Sequence, residues 1–80
     1  MNTLPTKQFT AIATDVKVDS EMLRVYLSDG RIVSVPIEWF PRLRDASEKE
    51  RNNWRLIGGG IGIHWESIDE DLSVAGLLQL

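Results

Sequence analysis

Residues 22–36, MLRVYLSDGRIVSVP, decide the fold. Leu23, Val25 and Leu27 alternate with Arg24, Tyr26 and Ser28, and after Asp29-Gly30 the alternation resumes at Val33, Val35 and Ile37. A two-residue period of apolar side chains marks a half-buried strand, because successive side chains leave a strand on opposite faces. Asp-Gly between two such runs marks a hairpin. The buried face also chooses the loop length. A two-residue loop would set Val25 opposite Ser34 and Leu27 opposite Ile32, splitting the two apolar faces. A three-residue loop, Ser28-Asp29-Gly30 with Gly30 left-handed in a bulge, pairs Val25 with Val33 and Leu23 with Val35. Both apolar faces then coincide, so the sequence predicts the bulged loop.

Working outward, Ile12, Thr14, Val16 and Val18 predict an earlier strand with Asp15 and Lys17 on its wet face, and Asp19 to Glu21 supply the turn. Residues 1–9 read as a flexible lead-in, and residues 10–80 as a single domain. Beyond Pro36 the pattern turns helical at Trp39, Phe40 and Leu43, with Pro41 tolerable only in a first turn. Ser47 and Glu50 form a capping box, which predicts a second short helix ending near Asn53. Trp54, Leu56 and Ile57 then run extended into Gly58-Gly59-Gly60, and Ile61, Ile63 and Trp65 alternate after it. This is a glycine-loop hairpin. A short C-terminal helix is expected to begin between Asp69 and Ser73, with Val74, Leu77 and Leu78 as its apolar stripe. The expected fold class is α+β: a three-stranded antiparallel meander, one or two short helices, the glycine hairpin and the terminal helix.

Eighty residues with 42% hydrophobic and 26% charged side chains describe one small globular domain rather than a disordered chain or a coiled coil. No apolar run reaches the roughly 18–20 residues of a membrane span. Met1 to Thr10 lacks the apolar segment of a signal peptide. The absence of cysteine excludes disulfides and thiolate metal sites, and a cytoplasmic location is expected. Twelve acids against nine bases give a net charge of −3. That field disfavours direct nucleic-acid binding and suits a basic partner.

No arrangement of residues reads as a catalytic set. Gly58-Gly59-Gly60-Ile61-Gly62 has Ile63 and Trp65 where a dinucleotide fingerprint would need a further glycine, and it lacks the Gly-Lys-Ser/Thr ending of a phosphate loop. It reads as a turn needing positive φ, or as backbone passing close under a tryptophan. His64, the single histidine, alternates out of phase with Ile63 and Trp65 and is placed on the exposed sheet face. Zinc would want more nitrogen or sulfur ligands than His64, Glu66, Asp69 and Asp71 offer. No metal, cofactor or enzymatic activity is therefore expected. Trp39, Trp54 and Trp65 are read as core fillers, and Arg42 and Arg55 as partners of rings or acids. Glu66, Asp69, Glu70 and Asp71 are the candidate partner-facing acids, with Trp65 and His64 beside them.

Three ordered blocks carry a resemblance to a known family. They are Asp29-Gly30-Arg31 through Val35-Pro36 and Trp39-Phe40-Pro41-Arg42-Leu43; Asn53-Trp54-Arg55-Leu56-Ile57-Gly58-Gly59-Gly60 with Gly62-Ile63-His64-Trp65; and Asp69-Glu70-Asp71-Leu72-Ser73-Val74 with Gly76-Leu77-Leu78. Over roughly residues 10–79 they resemble the bacterial family catalogued as domain of unknown function 2442. The resemblance implies a small α+β fold with no established activity, cofactor or functional residues. The resemblance also implies that some longer relatives carry a helix-turn-helix DNA-binding domain after this module, and that others are short and lie beside a small toxin-like protein, which suggests an antitoxin role. This chain, ending at Leu80, resembles the short type. The expectation is a non-enzymatic, antitoxin-like regulatory module that masks a small basic partner. The alternative is a small-ligand sensing domain using the glycine loop, His64 and Arg55, with its output in a separate protein. A homodimer is compatible with both, because a short open sheet leaves edges to pair.

Overall fold

Three strands joined by tight turns open the computed structural model, which describes residues 11–80. They are β1 (Ala13–Val18), β2 (Met22–Leu27) and β3 (Ile32–Pro36), antiparallel in the order β1-β2-β3. Leu23 faces Val35 and Val25 faces Val33, so the register is the one the apolar faces demand. Gly30 takes φ +93°, and the Leu27 N–H donates to the Arg31 carbonyl to close the three-residue bulged loop. The β1–β2 turn is held by Asp19, whose Oδ1 accepts the N–H groups of Glu21 and Met22, both at 2.7 Å. Those two amides, with Arg24 on the other oxygen, bring the Asp19 carboxyl down to about 2.

A 3-10 turn at Ile37–Trp39 leads into two one-turn helices, α1 (Pro41–Arg44) and α2 (Glu48–Arg51). Pro41 stands at the start of α1, where its missing N–H costs nothing. The capping box of α2 is complete. Ser47 Oγ accepts the Glu50 N–H at 3.1 Å, and Glu50 Oε1 accepts the Ser47 N–H at 2.9 Å.

The second half forms its own antiparallel sheet, ordered β4 (Trp54–Ile57), β5 (Gly62–Trp65) and β6 (Glu70–Ser73). Helix α3 (Val74–Leu78) follows, capped by Ser73 Oγ on the Gly76 N–H at 2.9 Å. Inward residues of both sheets share one core, in which Val16, Leu23, Val25, Val35, Ile37 and Leu43 meet Ile63, Trp65, Val74 and Leu77. The architecture is α+β. Among the described residues no helix is long and apolar enough to cross a membrane. The lead-in expected over residues 1–9 lies outside the described residues.

The structure departs from the sequence reading at four places. In β1 the pairing slips between Ala13 and Asp15, a bulge that turns Thr14 outward and buries Ala13 in its stead. The Thr14 hydroxyl donates to the Tyr26 carbonyl across the slip. Residues 70–73 form a strand rather than the start of a helix, so the acids there lie on a sheet edge instead of a helix N-terminus. Ile61 belongs to the turn and is 55% exposed, because β5 begins only at Gly62. Trp39, read as core, is 56% exposed on its 3-10 turn, while Trp54 packs against the core half-buried and Trp65 is fully buried.

Candidate functional site

Cross-strand pairing places Arg55, His64 and Asp71 in one row over the outer face of the second sheet, one residue from each strand. The expectation that His64 leaves the core is met, yet its side chain is only 14% exposed because carboxylates flank it. Nδ1 lies 2.5 Å from Asp71 Oδ1, and Nε2 lies 3.4 Å from Glu66 Oε1. That same Glu66 oxygen accepts from Arg55 Nη2 at 3.3 Å. The result is an alternating chain of charge: Arg55, Glu66, His64, Asp71.

The hydrogen bond to Asp71 raises the His64 pKa above its ordinary 6.5, with the Asp71 and Glu66 charges adding to it and desolvation opposing it. A histidine whose folded value is raised stabilises the fold while protonated. The contribution is complete below pH 6.5 and disappears as pH rises through the folded value. An NMR titration of the His64 ring is expected to show a midpoint above 6.5, and Asp71→Asn should bring it down. A wild-type midpoint at or below 6.5 would contradict this network.

The other acids sit at the β5–β6 turn. Asp69 adopts φ +51°, an uncommon left-handed conformation that aspartate tolerates better than most residues. Arg42, reaching from α1, donates to the Asp69 carbonyl at 2.7 Å and secures that turn. The Glu70 carboxylate accepts the Asp71 N–H at 3.2 Å. Glu66, Asp69, Glu70 and Asp71 therefore gather around one turn and one edge strand, with Glu66, Asp69 and Asp71 exposed.

Trp65 does not join them. It is 0% exposed, and its indole N–H donates to the Arg51 carbonyl at 2.9 Å, so it cannot be presented to a partner. Its inward phase with Ile63 already separates it from His64 in sequence. Arg51 itself donates to the Leu43 carbonyl, tying α1, α2 and the second sheet together.

The glycine loop stands apart from the row. Gly58, Gly59 and Gly60 all take positive φ, as the turn reading requires. The close approach is to β1 rather than to a tryptophan, since a Cβ on Gly60 would lie 2.7 Å from the Ala13 carbonyl oxygen. Of the ligand-sensing set, Arg55 and His64 are paired neighbours, while the loop packs on the other sheet.

Phe40 faces this edge of the second sheet. With Asp71, Leu72, Ser73, Gly76, Leu77 and Leu80 it lines an open groove of about 290 Å³. The sequence reading missed this groove, because it joins a residue of the α1 lead-in to a strand that the charge pattern disguised.

A family model described as "Protein of unknown function (DUF2442)" matches residues 13–80. The chain is also similar to a crystal structure of a protein of unknown function from Rhodospirillum rubrum ATCC 11170. The two are 30% identical, with a TM-score of 0.76 over 89% of this chain and 88% of the other. No curated protein matches the chain.

Proposed function

The chain belongs to the DUF2442 family of proteins of unknown function, and from that premise we propose a non-enzymatic, antitoxin-like module that masks a small basic protein in the bacterial cytoplasm. One observation carries the reading: Glu66, Asp69, Glu70 and Asp71 converge on one turn and its edge strand. Acids gathered in this way steer a basic partner and set its orientation. His64 supports a binding role over a catalytic one. Both its ring nitrogens already face carboxylates, Asp71 at Nδ1 and Glu66 at Nε2, so neither is left open to a substrate. Ligand sensing through the glycine loop, Arg55 and His64 has less support, since Glu66 already engages both side chains.

Tagged protein retrieved from its native host should carry a stoichiometric small basic partner. With that partner purified, the triple variant Asp69→Lys, Glu70→Lys, Asp71→Lys should bind more weakly, and its affinity should depend less steeply on salt. Circular dichroism of the variant controls for the loss of the Asp71–His64 contact. Unchanged affinity in a folded triple variant would sink the acidic-surface mechanism.

A further inference from the structure

Strand β6 hydrogen-bonds to β5 on one side, and among the described residues no strand pairs with the other side. Its direction of hydrogen bonding can be read from one contact. The Asp71 N–H donates to Glu70 Oε1, so it points away from β5 toward the open edge. Asp71 and His64 are then the non-hydrogen-bonded pair of their ladder, the kind whose side chains stand closest. In the turn just before the strand, the Asp69 carbonyl accepts from Arg42. The Asp71 N–H and the Asp69 carbonyl thus rest on side chains, which a peptide backbone could replace.

Beside this edge lies the groove lined by Phe40, Leu72, Leu77 and Leu80, with Asp71 at its rim. Along β6 the faces alternate. Asp71 belongs to the outer row with His64, whereas Leu72 pairs with the buried Ile63 on the inner face. We propose that β6 accepts an extended segment of a basic partner as an added strand, with basic residues opposite Asp71 and apolar residues entering the groove. The inference rests on the partner-binding reading above and specifies how the partner docks. Charge complementarity selects this occupant over a second copy of the chain, because β6 against β6 would set acids beside acids. Main-chain pairing supplies the affinity and the alternating side chains the selectivity.

The test uses the full chain, labelled with nitrogen-15, and three blocked synthetic hexapeptides. One alternates lysine and valine, one alternates glutamate and valine, and one is the lysine–valine peptide N-methylated along its pairing edge. The lysine–valine peptide should shift the Asp71 amide resonance and slow its hydrogen exchange, while the glutamate–valine peptide should do neither. N-methylation should weaken binding about tenfold by removing edge hydrogen bonds. Leu80→Gln, at a residue 66% exposed and so harmless to the core, should weaken it as well by removing apolar groove lining without adding charge. Charge-dependent binding that leaves the Asp71 amide unprotected would overturn strand addition while the acidic-surface reading stands. No binding of the lysine–valine peptide would overturn it too, with the partner titration left to judge the broader function. An Asp71 amide already protected in a dimer without peptide would overturn it in favour of a second copy.

Discussion

Trp65→Ala is expected to leave the chain largely unfolded at 25 °C. The side chain is the largest of those fully buried, and it sits where the two sheets meet. Truncating a buried tryptophan costs about 3–5 kcal/mol, from lost transfer energy and from the cavity left behind. A domain of this size holds about 3–5 kcal/mol in all. The loss is compounded at Arg51, whose carbonyl accepts the indole N–H and whose guanidinium holds α1 through Leu43. Trp65→Phe keeps much of the volume and forfeits the hydrogen bond, for a smaller penalty of about 1–2 kcal/mol. Trp39→Ala, at a position 56% exposed, should cost under about 0.5 kcal/mol. Urea denaturation followed by circular dichroism ranks the three. A cooperative Trp65→Ala transition close to wild type would mean that the shared core does not depend on this side chain.

The contrast between Trp39 and Trp65 shows what patterning makes legible. Trp65 alternates with Ile63 in a run whose other face is polar, so period 2 assigns it inward and the structure agrees. Trp39 has no such frame, since a single 3-10 turn presents too few residues to define a face. The β2–β3 hairpin was readable because a bulged loop was the arrangement that aligned Val25 with Val33 and Leu23 with Val35. Strand β6 was not. Glu70, Asp71 and Ser73 have low strand propensity, and the strand is held by pairing to β5 and by the His64 contact rather than by local preference. The candidate site inherits that limit. The acids were visible as a cluster, whereas their row with Arg55 and His64 exists only once β6 is a strand. The phase slip in β1 was hidden for a related reason, because a bulge leaves each residue type plausible and changes only which of them faces in.

Gly60→Ala should be the most damaging substitution outside the packed side chains, and its cost has two separable parts. Gly60 has φ +105°, a conformation that a side chain resists. An added Cβ would also lie 2.7 Å from the Ala13 carbonyl oxygen and 3.0 Å from Ile12 Cβ. The carbonyl belongs to the backbone at the start of β1, so relief requires the β4–β5 turn and the first sheet to part. Strain of about 1–3 kcal/mol and an overpacking cost of about 1–3 kcal/mol together approach the whole stability of the domain. Gly59 separates the two effects. Its φ is +69°, and a Cβ there meets nothing within 4 Å, so Gly59→Ala carries the left-handed penalty alone, about 1–2 kcal/mol. Urea midpoints of the two variants, measured side by side, should differ clearly, with Gly60→Ala much the lower. Equal midpoints would show that the approach to Ala13 does not constrain the hairpin. The same turn joins β4 to β5 and therefore positions Arg55 against His64. If Gly60→Ala displaces it without unfolding the chain, the His64 titration should move with it, reporting at the proposed binding edge a change made at the opposite end of the hairpin.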